Sequence, residues 1–284
     1  MRVRRADSGF SLIELMVVLV IFLVVTGAVF GLLNTAQIRY RSEQQFLDSL
    51  QGARTGLEQI TRDIHRAGYP AMNAYDTVPQ TPPSLWTVAG GIPSNSVAVP
   101  FVGMRFGAID QTCLVDTANP ALSTCDIPGP FELILEADLD PENAATPAQV
   151  EWVYYRVDLA GNPLVSPPAG GGADPVTRTL YRAVTAKTCV GPPWTPLTCV
   201  GGNPVAAGVP FVDNVLNDPA LYGGDPNEAV FRYRCAGGAT TCTPENIDEV
   251  YIVLRARAYS RDLQTRQIRA LTLQSVAQPL NPPQ

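Results

Sequence analysis

Histidine occurs once in 284 residues, at position 65, and no Cys-x-x-Cys pair is present. Those two shortages remove the common ligand sets of a zinc site. No serine or cysteine in a recognisable nucleophile context accompanies His65, and no paired carboxylates stand out, so nothing supports a hydrolase. Proline is absent from residues 1–69, where only six glycines occur, while all 26 prolines lie from Pro70 onward. A long helix followed by a loop-rich head is the direct inference. An excess of basic charge is also missing. Removing the three arginines and one aspartate of residues 1–9 leaves 17 basic and 25 acidic residues, a net of −8, which argues against nucleic acid as a partner. A chain of 284 residues exceeds the usual single-domain size of roughly 100–150, yet fits one large mostly-β domain plus an accessory helix.

The six cysteines fall in three close couples, Cys113 and Cys125, Cys189 and Cys199, Cys235 and Cys242, each flanked by Pro, Gly or Thr. Fifteen pairings are formally open and zinc is the rival reading, but the spacing favours three local disulfides formed in an oxidising compartment. The Cys235–Cys242 couple brackets Ala-Gly-Gly-Ala-Thr-Thr and would close a loop just before a strand.

Charge is also lacking from Leu15 to Leu33, a run of 19 residues preceded by three arginines within the first nine. At about 1.5 Å per residue this run reaches roughly 28 Å and matches a bilayer core, and the basic flank stays cytoplasmic. The run is too long, and Ala28–Gly31 too weak a cleavage site, for an ordinary secretory signal, so a retained anchor is expected. Glu14 is the anomaly, because a carboxylate inside an apolar segment costs several kcal/mol unless it finds a partner. Gly27 and Gly31 add a Gly-x-x-x-Gly spacing that would allow close helix approach or local loosening.

The segment Gly9-Phe10-Ser11-Leu12-Ile13-Glu14-Leu15-Met16-Val17-Val18 resembles the cleavage and methylation motif of type IV prepilins and pseudopilins. The resemblance implies cleavage between Gly9 and Phe10 by a prepilin peptidase, methylation of the new Phe10 amine, and a Glu14 carboxylate that pairs with a subunit's amino terminus during assembly. It implies an α+β, pilin-like fold: a cleaved leader at 1–9, a long N-terminal helix at 10–69 that crosses the membrane over about 10–33, and a β-rich head at 70–284. The implied location is the bacterial inner membrane, single-pass with a cytoplasmic N-terminus, and then a pilus or pseudopilus in the periplasm or at the cell surface. Implied partners are the peptidase, other major and minor pilins or pseudopilins, and an inner-membrane assembly platform.

Beyond Asn34 an apolar stripe of Phe46, Leu50, Ala53, Leu57, Ile60, Ile64 and Ala67 recurs at steps of four and three, suited to packing on a sheet. Arg54, Glu58, Arg62 and His65 lie opposite, with His65 read as a solvated surface residue. Gly68 and Pro70 supply the stop. The ending Asp63-Ile64-His65-Arg66-Ala67-Gly68-Tyr69 resembles that of W-class minor pilins.

In the head, strands are expected at 96–101, 131–137, 150–158, 179–184, 230–235 and 250–259, forming an antiparallel sheet with loop insertions laid on the helix. In the last of these, Ile252, Leu254, Ala256 and Ala258 should face the core, with Tyr251, Arg255 and Arg257 outward. Asp138, Asp140, Glu142 and Asn143 form a weak calcium candidate, better read as an acidic turn, and no other cofactor is expected. Asp218, Asp225 and Glu228 read as a solvated loop. Trp86, Trp152 and Trp194 are read as core or loop anchors. The leading reading is a non-enzymatic minor pilin that starts or caps a filament. The alternatives are a J-class type II secretion pseudopilin and a membrane-anchored tip adhesin or DNA-uptake protein.

Overall fold

A computed structural model describes residues 11–69, 98–139, 150–158, 177–187, 208–219, 222, 228–258 and 269–280. One helix, α1 (Leu12–Arg66), runs unbroken for 55 residues through Gly27 and Gly31, or about 80 Å at the standard rise. Ser11 stands at its N-cap and Glu14 in its first turn. It stops where Gly68 takes a φ of 77°, a left-handed conformation cheap only for glycine, and donates its N–H to Glu136 O at 2.8 Å.

Two short hairpin strands, β1 (Met104–Arg105) and β2 (Ala108–Ile109), precede β3 (Val115–Asp116). Then β4 (Glu132–Ala137), β5 (Glu151–Val157), β6 (Arg178–Ala186) and β7 (Val209–Val215) form an antiparallel meander. β8 (Phe231–Cys235), β9 (Thr241–Cys242), β10 (Ile247–Arg257) and β11 (Ala270–Ala277) follow. The principal sheet has seven strands in the order β11-β10-β7-β6-β5-β4, with β8 also on β10. β11 takes one edge of β10 along Val250–Arg257, while β8 takes the first half of the other edge and β7 meets it only at Ala256↔Val215.

The helix packs on this sheet by the expected stripe: Ala53, Leu57, Ile60, Ile64 and Ala67 are buried, joined by Leu133, Leu135, Val153, Tyr155, Val212, Ile252 and Leu254. Phe46 and Leu50, further out, are only half-buried. The reverse face of β4–β6 is covered as well. Ile134, Trp152, Tyr154 and Ala183 pack there against Val102, Met104 and Ile127 of the 98–128 excursion. Burial on both faces explains why β4 and β5 read as nearly continuous apolar runs.

Some sequence expectations need correction. Residues 98–101 make only an isolated bridge, Phe101↔Leu135, and no strand; Pro100 has no N–H to give a ladder. β7 and β11 were not expected: β7 carries Pro210 and Asp213, and β11 alternates half-buried with exposed positions. Arg257 is 3% exposed rather than outward-facing, whereas Ile252, Leu254, Ala256 and Ala258 are buried as expected.

Helix and sheet come close at Gly56, where an added Cβ would lie 2.2 Å from Val212 Cγ2. A helix-interior glycine ordinarily costs about 0.5–1 kcal/mol relative to alanine, so its presence marks a steric need. Gly56→Ala should destabilise the head by about 1–2 kcal/mol despite its better helix propensity. Chemical denaturation of the Gly56→Ala/Val212→Ala double variant checks this: coupling should make the second change cost less in the Gly56→Ala background than alone.

Candidate functional site: the amino-terminal helix and its clamp on the head

Two halves of α1 have opposite environments. Leu12, Ile13 and Leu15–Val25 are exposed in the chain, with Leu12 at 78% and Phe22 at 65%. An 18-residue window here has mean hydropathy 2.9 and no buried residue, which is long and apolar enough to cross a membrane. Glu14 is exposed one turn into the helix, where the aligned peptide dipoles favour a carboxylate. Gly9 and Phe10 lie outside the described residues. From Ala53 onward the helix instead belongs to the core of the head.

What fastens the second half is polar as well as apolar. Asp63, fully buried, accepts hydrogen bonds at Oδ2 from Tyr155 Oη (2.5 Å) and from Arg182 Nε (3.0 Å) and Nη2 (2.8 Å). Gln59 Nε2 donates to Oδ1 at 2.7 Å. One carboxylate on the helix thus gathers donors from β5 and β6. Burial, and then the Asp63 carboxylate, push the Tyr155 hydroxyl well above its usual pKa. Sequence reasoning passed over Asp63; the available signal was its spacing of three from Ile60 and four from Ala67, which puts it inside the apolar stripe.

Two contacts further out hold β11 alongside the helix: Arg269 Nη1 donates to Glu43 at 2.7 Å, and Thr61 Oγ1 meets Ser275 Oγ at 3.1 Å. His65, expected to be solvated, is half-buried and its Nδ1 lies 2.9 Å from Gln278 O. It fastens the segment after β11 to the helix end, where Leu280 N donates to His65 O.

Other charged groups expected on the surface lie inside. Asp218 and Glu228 are each under one-tenth exposed; Arg178 bonds Asp218 through Nε (3.0 Å) and Nη2 (2.5 Å), and Arg255 pairs with Glu228. Asn217 bridges this region by accepting Arg255 N–H and donating to Val253 O. On the reverse face, buried Glu136 accepts from Lys187 Nζ (2.7 Å), Trp152 Nε1 (2.8 Å) and Val99 N (2.9 Å). Local spacing carries no trace of such pairs, whose members lie 27 to 51 residues apart. Trp152 is a core anchor as expected; Trp86, Trp194 and Asp225 lie outside the described residues.

Two of the expected disulfides are present, Cys113–Cys125 and Cys235–Cys242, and all four sulfurs lie in the main core. They are linked through β3 and β9, which pair Val115 with Cys242, so the excursion over the sheet is fastened to the β8–β10 turn. By loop-closure entropy each bond contributes about 2–3 kcal/mol. Cys189 and Cys199 lie outside the described residues, as do Asp140, Glu142 and Asn143; Asp138 is buried, with its N–H on Tyr69 O at 2.9 Å.

Buried tyrosines set an alkaline limit. Tyr154, Tyr155 and Tyr233 all have raised pKa values, with burial the largest cause in each. In the unfolded chain each ionises near pH 10, so the folded state holds protons that the unfolded state releases. Their contribution is intact below about pH 10 and is lost as pH rises above it, at up to about 1.4 kcal/mol per pH unit for each hydroxyl. Unfolding free energy measured from pH 8 to 12 should fall steeply above 10, and less steeply in Tyr233→Phe.

Residues 4–30 match the prokaryotic N-terminal methylation motif. No curated protein and no solved structure gives a significant match to the chain. Among the described residues this motif leads one long apolar helix onto an antiparallel sheet, an arrangement that, with the motif, supports the type IV prepilin and pseudopilin family.

Proposed function

We propose that this protein is a minor pilin similar to the W class, a membrane-anchored structural subunit that starts a type IV pilus or caps its tip. The observation that carries the reading is the division of α1. Its first half offers an apolar surface that no part of the described head covers, while its second half is clamped to the sheet through Asp63. Such a subunit delivers an uncovered helix to a bundle built by other subunits. In this reading prepilin peptidase cuts between Gly9 and Phe10, the Phe10 amine is methylated, and Glu14 pairs with a subunit's amino terminus. The pair is favourable because an isolated carboxylate and an isolated ammonium are each costly in lipid, while together they attract strongly in low dielectric.

The helix ending supports the pilus over a secretion pseudopilus. Ala67 is buried, Gly68 makes the left-handed turn, and Tyr69 accepts the Asp138 N–H, so the Ala-Gly-Tyr sequence is used residue by residue to lead the chain along β4. The protein itself catalyses nothing; the work of extracting the helix comes from the assembly machinery's nucleotide hydrolysis at the inner membrane.

Mass spectrometry of the intact protein from its native cells tests the reading. A chain beginning at methylated Phe10 in sheared surface filaments is the expected result. An uncut Met1 confined to membranes would overturn it, and a processed chain whose deletion stops protein secretion but leaves surface filaments unchanged would move it to the J-class pseudopilins.

A further inference from the structure

The head contains a cleft of about 480 Å³ between the 115–130 excursion and β8, with Tyr222 at its side. That is the size of small-molecule sites in general, roughly 300–1,000 Å³. Part of its wall is apolar: Pro128 and Pro130 line it together with Tyr222, whose ring stands edge-on to Phe131 with ring centroids 5.4 Å apart. Tyr233 is fixed by donating its hydroxyl to Gly129 O at 2.7 Å.

Among the described side chains lining this cleft, Arg232 is the one cation. Its Nε is buried without a hydrogen-bond partner, and no salt bridge to it is found among the described residues. Its charge reaches the Tyr222 hydroxyl, opposing the upward push of burial on that group. The two aspartates of the cleft are directed at the protein's own backbone: Asp116 Oδ1 accepts from the N–H groups of Ala118 (3.0 Å) and Asn119 (2.8 Å), and Asp126 Oδ2 from Phe106 N–H (2.5 Å). A guanidinium that makes no ion pair among the described residues, beside an aromatic ring and proline faces, is suited to a planar anion on an apolar ring.

We propose that this cleft binds a carboxylated sugar, a uronic-acid residue whose carboxylate meets Arg232 and whose C–H face lies against Tyr222. The site goes beyond assembly: it would give a subunit at a filament end a means of recognising acidic polysaccharide. It rests on the cleft alone and stands or falls apart from the role of the helix.

The full chain in detergent micelles, titrated with D-glucuronate and separately with D-glucose by ligand-observed NMR, tests it. Glucuronate should bind at least tenfold more tightly than glucose, and Arg232→Gln should weaken it about tenfold, with Arg232→Lys intermediate. Because Arg232 has no ion pair among the described residues, Arg232→Gln should leave the unfolding temperature unchanged. Equal binding of the two sugars, undiminished binding by Arg232→Gln, or no binding of glucuronate would overturn the proposal. So would a large fall in unfolding temperature in Arg232→Gln, which would make Arg232 structural, or displacement of glucuronate by equimolar acetate, which would reduce the cleft to a simple anion site.

Discussion

Replacing Glu14 with alanine or with glutamine should leave the protein inserted in the membrane and remove it from filaments. The carboxylate is exposed in the first turn of a helix whose neighbouring side chains are apolar apart from Ser11, so in lipid it has little within the described chain to pair with. If its partner is a subunit's amino terminus, losing it leaves an unpaired ammonium in low dielectric, worth about 3 kcal/mol or more. That corresponds to about a hundredfold lower incorporation. Quantitative immunoblots of sheared filaments and membranes measure the ratio directly, and native incorporation by either variant would refute the pairing. Glutamine is the sharper variant, since it keeps the size and hydrogen-bonding capacity and removes only the charge.

Asp63→Ala should be the most damaging single change in the head. It leaves Tyr155 Oη without its acceptor in the core and removes the two hydrogen bonds that Arg182, 21% exposed at the side chain, makes to the carboxylate, leaving only its bond to Tyr155 Oη. Breaking a buried pair by removing one partner costs about 3–5 kcal/mol, a fall of roughly 10 °C in Tm for a domain of this size. Part of that cost comes back if the orphaned cation is removed too, so Asp63→Ala/Arg182→Met should be more stable than Asp63→Ala alone. Thermal unfolding followed by near-ultraviolet circular dichroism distinguishes the two, because Tyr155 reports on packing at the clamp.

Much of this was legible in the residues. The period of the helix stripe located the docked face, the proline boundary located the helix end, and alternation placed Ile252, Leu254 and Ala256 of β10, and Ala258 just beyond it, in the core. These are local signals, each carried by residues within a few turns of one another. What escaped was non-local. Asp63 reads as a flaw in an apolar stripe until Tyr155 and Arg182, 92 and 119 residues later, are brought to it. Asp218 and Glu228 look like loop acids for the same reason, and β11 was missed because only one of its faces meets the helix while the other is exposed.

Among the described residues, the Arg269–Glu43 bond is the lowest contact the head makes along α1. From Leu33, the last residue of the uncharged run, to Glu43 is ten helical steps, about 15 Å. An anchored subunit therefore carries its described head on a bare stalk, clear of the lipid surface by about the thickness of one helix with its side chains. A neighbour's helix could pass beneath without moving the head. Crowding in the membrane would then be felt first between stalks, and adjacent heads would meet sideways only after the helices had already aligned.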